Sequence, residues 1–389
     1  MPQLKEVCNP LLPDATAVAE YIKLADAARR YTNRGPLVVA LEKRLSELFG
    51  ADENLVVATA SGTAALEASI LAVAGSATAQ KPYALLPSYT FAATALAAER
   101  CGYTPYFLDV DPGTWALDPG KVARHARIAE AGVIIDVAPY GRMPDMGALE
   151  SLRASAGVAV VVDAAAAFEQ VQANPGCISA TVPVCLSFHA TKTFSTGEGG
   201  AVLWRNRPGL EAVVQAVNFG FMNSRECRSP GFNGKMSEYS AAVGLAMLDM
   251  LATRQSAYRA VSSAYRRLFS ASKADAFGTL LVSPDVSSAY ALVMAHDLDV
   301  ARMLRARLDA SESGWRRWYE GGLHAMAHFS DCPRDEMPVT ADLGDRLLGL
   351  PTAPDIGVDE IAGVVHVLAP GCDAGSAPDP LPGLERLAR

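Results

Sequence analysis

Lys192 is the residue of this sequence best suited to covalent chemistry. It lies in Ser187-Phe188-His189-Ala190-Thr191-Lys192-Thr193-Phe194-Ser195-Thr196-Gly197-Glu198-Gly199-Gly200, just after a short apolar run and among hydroxyls and glycines. Removing water from an ammonium favours the neutral amine, the form that attacks a carbonyl to make a Schiff base. Ser187, earlier in the segment, offers a hydroxyl to a phosphate. A second candidate is Asp163, the one carboxylate inside VAVVVDAAAAF. An unpaired buried charge costs on the order of several kcal/mol, or the group takes up a proton instead. A protonated pyridine nitrogen is one fitting partner, and the pair keeps such a ring an electron sink. Taken alone, Asp163 reads equally well as a strand-end residue capping a helix. The third candidate is Ser61-Gly62-Thr63, ahead of an Ala-rich stretch at 64–74. Unpaired N–H groups at a helix start favour an anion, and Gly lets the backbone approach it closely. The segment is neither GxGxxG nor GxxxxGK[ST], so no dinucleotide or nucleoside triphosphate is indicated, and alone it reads as an ordinary Ser/Thr cap. In the fourth segment, Pro87-Ser88-Tyr89-Thr90-Phe91, the ring of Phe91 can stack on a planar group, although an aromatic at a strand end is more often core.

These residues need a scaffold that gathers them, and the flanking sequence predicts one. Seven apolar, β-branched runs occur between 54 and 205: NLVVATAS, YALLPS, TPYFLDV, GVIIDVAPY, VAVVVDAA, CLSFHA and GAVLW. Each has the length of a buried strand, and most are separated by enough chain for a crossover helix. That is the pattern of a mostly parallel sheet covered on both faces, an α/β fold. The last two runs are too close for a helix, so GAVLW is expected to run antiparallel to its neighbour. In an open sheet of this kind functional groups collect at the carboxyl ends of strands, where all four candidates fall. From Ser237 to about Phe269 the pattern is helical, with a Met/aromatic spacing at 236–265 read as core and subunit contact. The expected organisation is a large domain at 1–250, a linking helix with a small C-terminal α/β domain at 251–369, and a Gly/Pro-rich tail at 370–389.

With half its residues hydrophobic and 20% charged, the chain is composed like a globular protein. A net charge of -8 with no Lys/Arg run argues against nucleic acid as a partner. No apolar stretch is long enough to span a bilayer, so no membrane partner is expected. The seven cysteines are scattered and form no CxxC pair, which reads as reduced thiols in the cytoplasm. His324 and His328 have i, i+4 spacing, but without HExxH or a third ligand no metal is expected. Arg34, Arg225, Arg228, Arg316 and Arg317 could bind a carboxylate or diphosphate, although any one of them reads more readily as a solvated surface residue.

Taken together and in this order, the segments resemble the DegT/DnrJ/EryC1/StrS family of sugar aminotransferases, which depend on pyridoxal 5'-phosphate (PLP). The resemblance runs from about Tyr31 to Leu368, through TNRGPLVVALE, SGTAAL, PSYTF, DVDPGTWALD, SFHATKTFSTGEGG, GFNGKMSEYSAAVG, GLH and MPVTADLGDRLLGLP. It implies PLP fold type I, a seven-stranded mostly parallel sheet plus a smaller C-terminal α/β domain, in a homodimer with shared active sites. Carried over position by position, it implies Lys192 as the Schiff-base residue and Asp163 as partner of the pyridine nitrogen. Gly62, Thr63 and Ser187 would hold the phosphate, Phe91 would stack on the ring, and Asn233 would reach the phosphate of the partner's cofactor. His324 and Tyr89 are the candidates near the substrate. The implied reaction moves an amino group from glutamate to a keto sugar linked to a nucleotide.

The sequence departs from the family where a His or Gln commonly follows the aspartate by three residues, since Ala166 stands there. It departs again at the HxYG turn, which here is Ala138-Pro139-Tyr140-Gly141. Two alternatives share the cofactor: a transaminase for a non-nucleotide cyclic ketone of the inosose kind, and a sugar dehydratase. Family members of the second type carry His in place of the lysine, and Lys192 argues against it. A non-catalytic relative would be expected to lack Lys192 or Asp163.

Overall fold

The computed structural model describes residues 7–370 except 52, 284, 285 and 312, so the expected tail from 371 onward lies outside the described residues. All seven apolar runs are strands of one sheet. They are β1 (Val56–Thr59), β2 (Tyr83–Pro87), β3 (Thr104–Leu108), β4 (Ala131–Val137), β5 (Ala159–Asp163), β6 (Val184–Ser187) and β7 (Gly200–Leu203), in the spatial order β1-β7-β6-β5-β4-β2-β3. β7 is antiparallel to both β6 and β1, as the short connection demands, and the other six run in one direction. β4 and β5 are nearly continuous Val and Ile because helices cover both faces of the sheet.

The fourth run is shorter as a strand than its sequence suggests. β4 stops at Val137, and Pro139–Gly141 form a 3-10 turn in which Tyr140 takes a left-handed φ of 53°. Proline has no N–H for the sheet ladder, which ends the strand there. Helix α1 spans Ala15–Ala28 and α2 spans Pro36–Leu48. α3 (Gly62–Val73) follows β1, and α4 (Ala92–Arg100) follows β2. Both α3 and α4 are Ala-rich, and their small side chains let them lie close on the sheet around buried Leu66, Ile70, Ala95 and Ala98.

The helical stretch from Ser237 is two helices, Glu238–Asp249 and Leu251–Ala271, with Met250 between them. By internal packing the chain forms two compact units. The larger comprises 12–249 with 322–340, and the smaller takes 7–11, 250–321 and 341–370 of the described residues. The segment 322–340 belongs with the larger unit because its backbone is tied to strand ends there: Leu323 N–H donates to Ser88 O at 2.8 Å, and Phe107 N–H donates to Pro333 O at 3.0 Å. The smaller unit has an antiparallel sheet of β8 (Gly278–Leu281), β9 (Ala291–Ala295) and β10 (Leu347–Leu350), in the order β10-β9-β8. Its core is built from Tyr265, Leu304, Leu348 and Ile361 among others.

Candidate active site

Six strands end on one edge of the large sheet, and the four sequence candidates meet that edge. Asp163 is the last residue of β5 and only 5% exposed. Its Oδ2 accepts the Thr94 hydroxyl at 2.7 Å, and its Oδ1 accepts the Ala165 N–H at 3.1 Å. Burial pushes the carboxyl above the ordinary aspartate range, while Thr94, Ala165 and the Lys192 ammonium pull it back. A carboxylate so placed is best satisfied by a cation beside it.

Lys192 lies on the connection between β6 and β7, half-buried. That connection is not a loose loop. Phe188 N–H donates to Gly199 O and Ala190 N–H to Gly197 O, both at 2.8 Å, while Lys192 N–H donates to His189 O at 2.9 Å. The rings of Phe188 and Phe194 are fully buried beneath it, and Phe194 stacks on Phe168 at 4.6 Å between centroids. Two aromatic anchors therefore fix the backbone that carries the lysine.

Ser61 caps α3, its hydroxyl accepting the Ala64 N–H at 3.1 Å, and Ala65 N–H goes to Ser61 O. The N–H groups of Gly62 and Thr63 are thereby left without helical partners at the positive end of the helix dipole. Close approach explains two glycines. A Cβ on Gly62 would lie 2.8 Å from the Ser187 Cβ, and one on Gly200 would lie 2.5 Å from Ser61 O. Gly200 pairs with Thr59 on one side and Ser187 on the other, so the α3 start, Ser187 and the Lys192 connection converge.

Phe91 is the N-cap of α4 and 66% exposed, unlike a core aromatic. Tyr89 is 1% exposed, and its hydroxyl meets that of Tyr140 at 2.9 Å. Trp115 packs edge-on against both tyrosines, and Arg142 lies over the Trp115 ring at 4.2 Å. His324 Nδ1 is 2.7 Å from Ser88 Oγ, which ties it to the end of β2. Burial, helped by Arg334, holds this imidazole below the usual histidine range. Asn233 is exposed on the segment that runs beside the end of β1, where Lys235 bridges Thr59, and its side chain makes no hydrogen bond among the described residues.

Most of the remaining sequence candidates have partners of their own. Arg34 pairs with buried Glu42 at 2.5 Å, Arg228 with Glu226, and Arg317 with Asp345, while Arg316 lies over Trp318. His328 pairs with Glu99 at 3.0 Å. Among the described residues no three His, Cys, Asp or Glu side chains form a metal-binding group, and no helix is long and apolar enough to cross a membrane.

Sequence reasoning missed Thr90 and Thr94. Their hydroxyls meet at 2.8 Å, and Thr94 supplies the hydrogen bond to Asp163. The signal was their one-turn spacing, with Thr94 the only hydroxyl of α4. It missed Asp136 as well, a second isolated carboxylate in the run GVIIDV, now buried on β4.

The donor set fits PLP. A buried carboxylate suits a pyridinium, a helix start with free N–H groups and a serine suits a phosphate, and a half-buried lysine suits a carbonyl carbon.

Comparison with known proteins agrees. Protein Rv3402c of Mycobacterium tuberculosis is 33% identical over 372 residues, covering 92% of this chain and 87% of that protein. The dTDP-4-amino-4,6-dideoxy-D-glucose transaminase of Shigella dysenteriae is 32% identical over 247 residues, covering 64% of this chain and 65% of that one. Among solved structures, DesI in the presence of its TDP-sugar product superposes with a TM-score of 0.81 at 27% identity, covering 100% of this chain and 96% of the other. The family profile matches residues 14–369, and the chain belongs to the DegT/DnrJ/EryC1/StrS aminotransferase family, enzymes whose cofactor is PLP.

Proposed function

We propose that this enzyme moves an amino group from glutamate to a keto sugar linked to a nucleoside diphosphate. The observation that carries the reading is the buried carboxylate of Asp163 at the end of β5, with half-buried Lys192 on the connection that leaves the neighbouring β6 at the same sheet edge. The sugar nucleotide is supported by the names of two relatives, a dTDP-sugar transaminase and an enzyme crystallised with a TDP-sugar product.

In this reading Gly62, Thr63 and Ser187 hold the phosphate through backbone N–H groups and a hydroxyl, and Phe91 covers one ring face. Asp163 holds the proton of the ring nitrogen. When bound, PLP supplies the electron sink that stabilises negative charge on the carbon losing its proton. Lys192 would hold the cofactor covalently through its Nζ. When not bonded to the cofactor, its Nζ would be the base and acid that moves a proton to and from the substrate's α-carbon. Positioned proton transfer of this kind is worth ~10²–10⁴-fold. His324 faces the substrate with Tyr89 buried behind the site, and the diphosphate and base bind away from the reacting carbon.

The active unit is a homodimer in which Asn233 completes the partner's phosphate site. Support comes from α1, α2, the connection between them and the helix Glu238–Asp249, which leave Leu24, Val39, Tyr31 and Tyr239 exposed, more apolar surface than isolated residues need.

The test has two arms. Borohydride reduction and peptide mapping should fix the cofactor on Lys192, and Lys192→Ala should lose turnover. Nucleotide-linked 3-keto and 4-keto sugars, with an inosose as comparison, are then offered with glutamate and read by mass spectrometry. Attachment at another lysine refutes the site, and amination of the inosose alone refutes the substrate class.

A further inference from the structure

Asp163 does not stand alone at the end of β5. Its Oδ2 accepts a hydrogen bond from Thr94 Oγ1 at 2.7 Å, and Thr94 Oγ1 lies 2.8 Å from Thr90 Oγ1. Both threonines are almost fully buried, at 0% and 1% exposure. A hydroxyl has one proton to donate. While Asp163 is ionised it can only accept, so the Thr94 proton must point at Asp163. The proton between the two threonines then has to come from Thr90. The charge on Asp163 thus sets the direction of the whole chain, from Thr90 to Thr94 to Asp163.

The position of Thr94 adds a second reason. It sits in the first turn of α4, its N–H donating to Phe91 O at 3.1 Å. Phe91 and Thr94 are three residues apart and share a face of the helix start. One rigid turn therefore carries the exposed ring of Phe91 and the hydroxyl that grips Asp163. Any shift of that turn moves the two together.

We propose that Thr94 is a positioning residue for transamination: with Thr90 behind it, Thr94 keeps Asp163 ionised and fixed in orientation toward the ring nitrogen of the cofactor. The proposal rests on the assignment of Asp163 and Lys192 given above. Few donors serve this buried carboxylate, and the Thr94 hydroxyl is the foremost influence opposing the effect of burial on it. Without that hydroxyl Asp163 takes up a proton more readily and holds the ring nitrogen's proton less well.

The test uses the full PLP-loaded enzyme and three variants. Thr94→Val keeps shape and removes the hydroxyl, Thr94→Ser keeps the hydroxyl, and Thr90→Val removes only the outer donor. Two readouts are taken: the single-turnover rate with glutamate, and the pH midpoint of the visible absorbance of the cofactor on Lys192. A protonated ring nitrogen withdraws electrons and makes the nitrogen that joins cofactor and lysine more acidic. Loss of ring protonation therefore moves the midpoint to higher pH. Thr94→Val should slow the glutamate reaction about ten- to a hundredfold, the worth of one hydrogen bond to a charged acceptor, and raise the midpoint. Thr94→Ser should restore both, and Thr90→Val should fall between. An unmoved midpoint in folded Thr94→Val, or a Thr94→Ser variant as impaired as Thr94→Val, overturns the proposal. Peptide mapping separates this from the underlying assignment: cofactor found off Lys192 in the unmodified enzyme overturns that assignment, whatever Thr94 does.

Discussion

Asp136→Asn should stabilise this protein at alkaline pH and do progressively less as the pH falls. Asp136 is fully buried on β4, its Oδ1 accepting the N–H of Leu117 at 2.9 Å and of Val137 at 2.8 Å. Its Oδ2 has no partner among the described residues. Burial pushes the carboxyl from an ordinary 3.8 up to about 7, against the pull of the two N–H groups. Because the folded value is raised, the folded chain keeps a proton between pH 4 and 7 that the unfolded chain releases. Stability from this group therefore falls as pH rises through that window and levels off above it. Asparagine retains the acceptor for Leu117 and Val137 and cannot ionise, and its buried amide is unsatisfied at every pH alike. At ~1.36 kcal/mol per pH unit over the two units from pH 5 to 7, the stability gap between variant and parent should widen by roughly 3 kcal/mol between pH 5 and 8. The assay is urea unfolding of PLP-saturated protein at pH 5, 6, 7 and 8, comparing both chains at each pH. Asp163 and Glu42 are also raised by burial, but they are present in both chains and cancel in the difference. A gap that stays constant across this range would mean that Asp136 titrates as an ordinary aspartate, and the burial argument would fail.

Two further outcomes follow from the phosphate end of the site. Gly62→Ala places a Cβ 2.8 Å from that of Ser187 and should push the α3 start off the anion, weakening PLP binding to the apoenzyme at least about tenfold; an unchanged affinity would show that this close approach does not matter. Asn233→Ala removes one amide–phosphate hydrogen bond worth ~1.5–3 kcal/mol and should weaken PLP retention by one to two orders of magnitude. Mixing it with Lys192→Ala chains should restore activity through one intact shared site, and verified heterodimers without recovery would exclude the shared arrangement.

Much of the sheet was legible because buried strands need continuous apolar runs, and each of the seven stands out between turns. The antiparallel direction of β7 followed from connection length alone. The end of β4 was less legible, since the apolar run continues through Tyr140 and only Pro139, which has no N–H for the ladder, marks the stop in the sequence. The segment 322–340 was not legible as part of the larger unit, because its attachment to Ser88 and Phe107 is through backbone groups that every sequence possesses. Asp163 stood out as a charge amid apolar residues, and Lys192 as a cation after an apolar run among hydroxyls and glycines. Asp136 is equally isolated in GVIIDV, so the same logic covers it. Thr90 and Thr94 were hidden differently, since a threonine is unremarkable until its single proton has to be assigned.

The topology also explains how Lys192, the lysine proposed to carry the cofactor, can sit on a connection between strands. A chain leaving β6 at the carboxyl edge through a crossover helix would enter a parallel strand from the opposite edge. Because β7 is antiparallel, it begins at the carboxyl edge, and the whole connection from Phe188 to Gly199 stays there. Lys192 is thus held beside the strand end that bears Asp163 and the helix start that bears Gly62 and Thr63. The reversal also inserts β7 between β6 and β1, setting Gly200 against both Ser187 and Thr59. A side chain at Gly200 would collide with Ser61 and open the gap that the phosphate end needs closed. The one strand that breaks the parallel order is therefore what keeps Lys192, Asp163 and the start of α3 on a single edge.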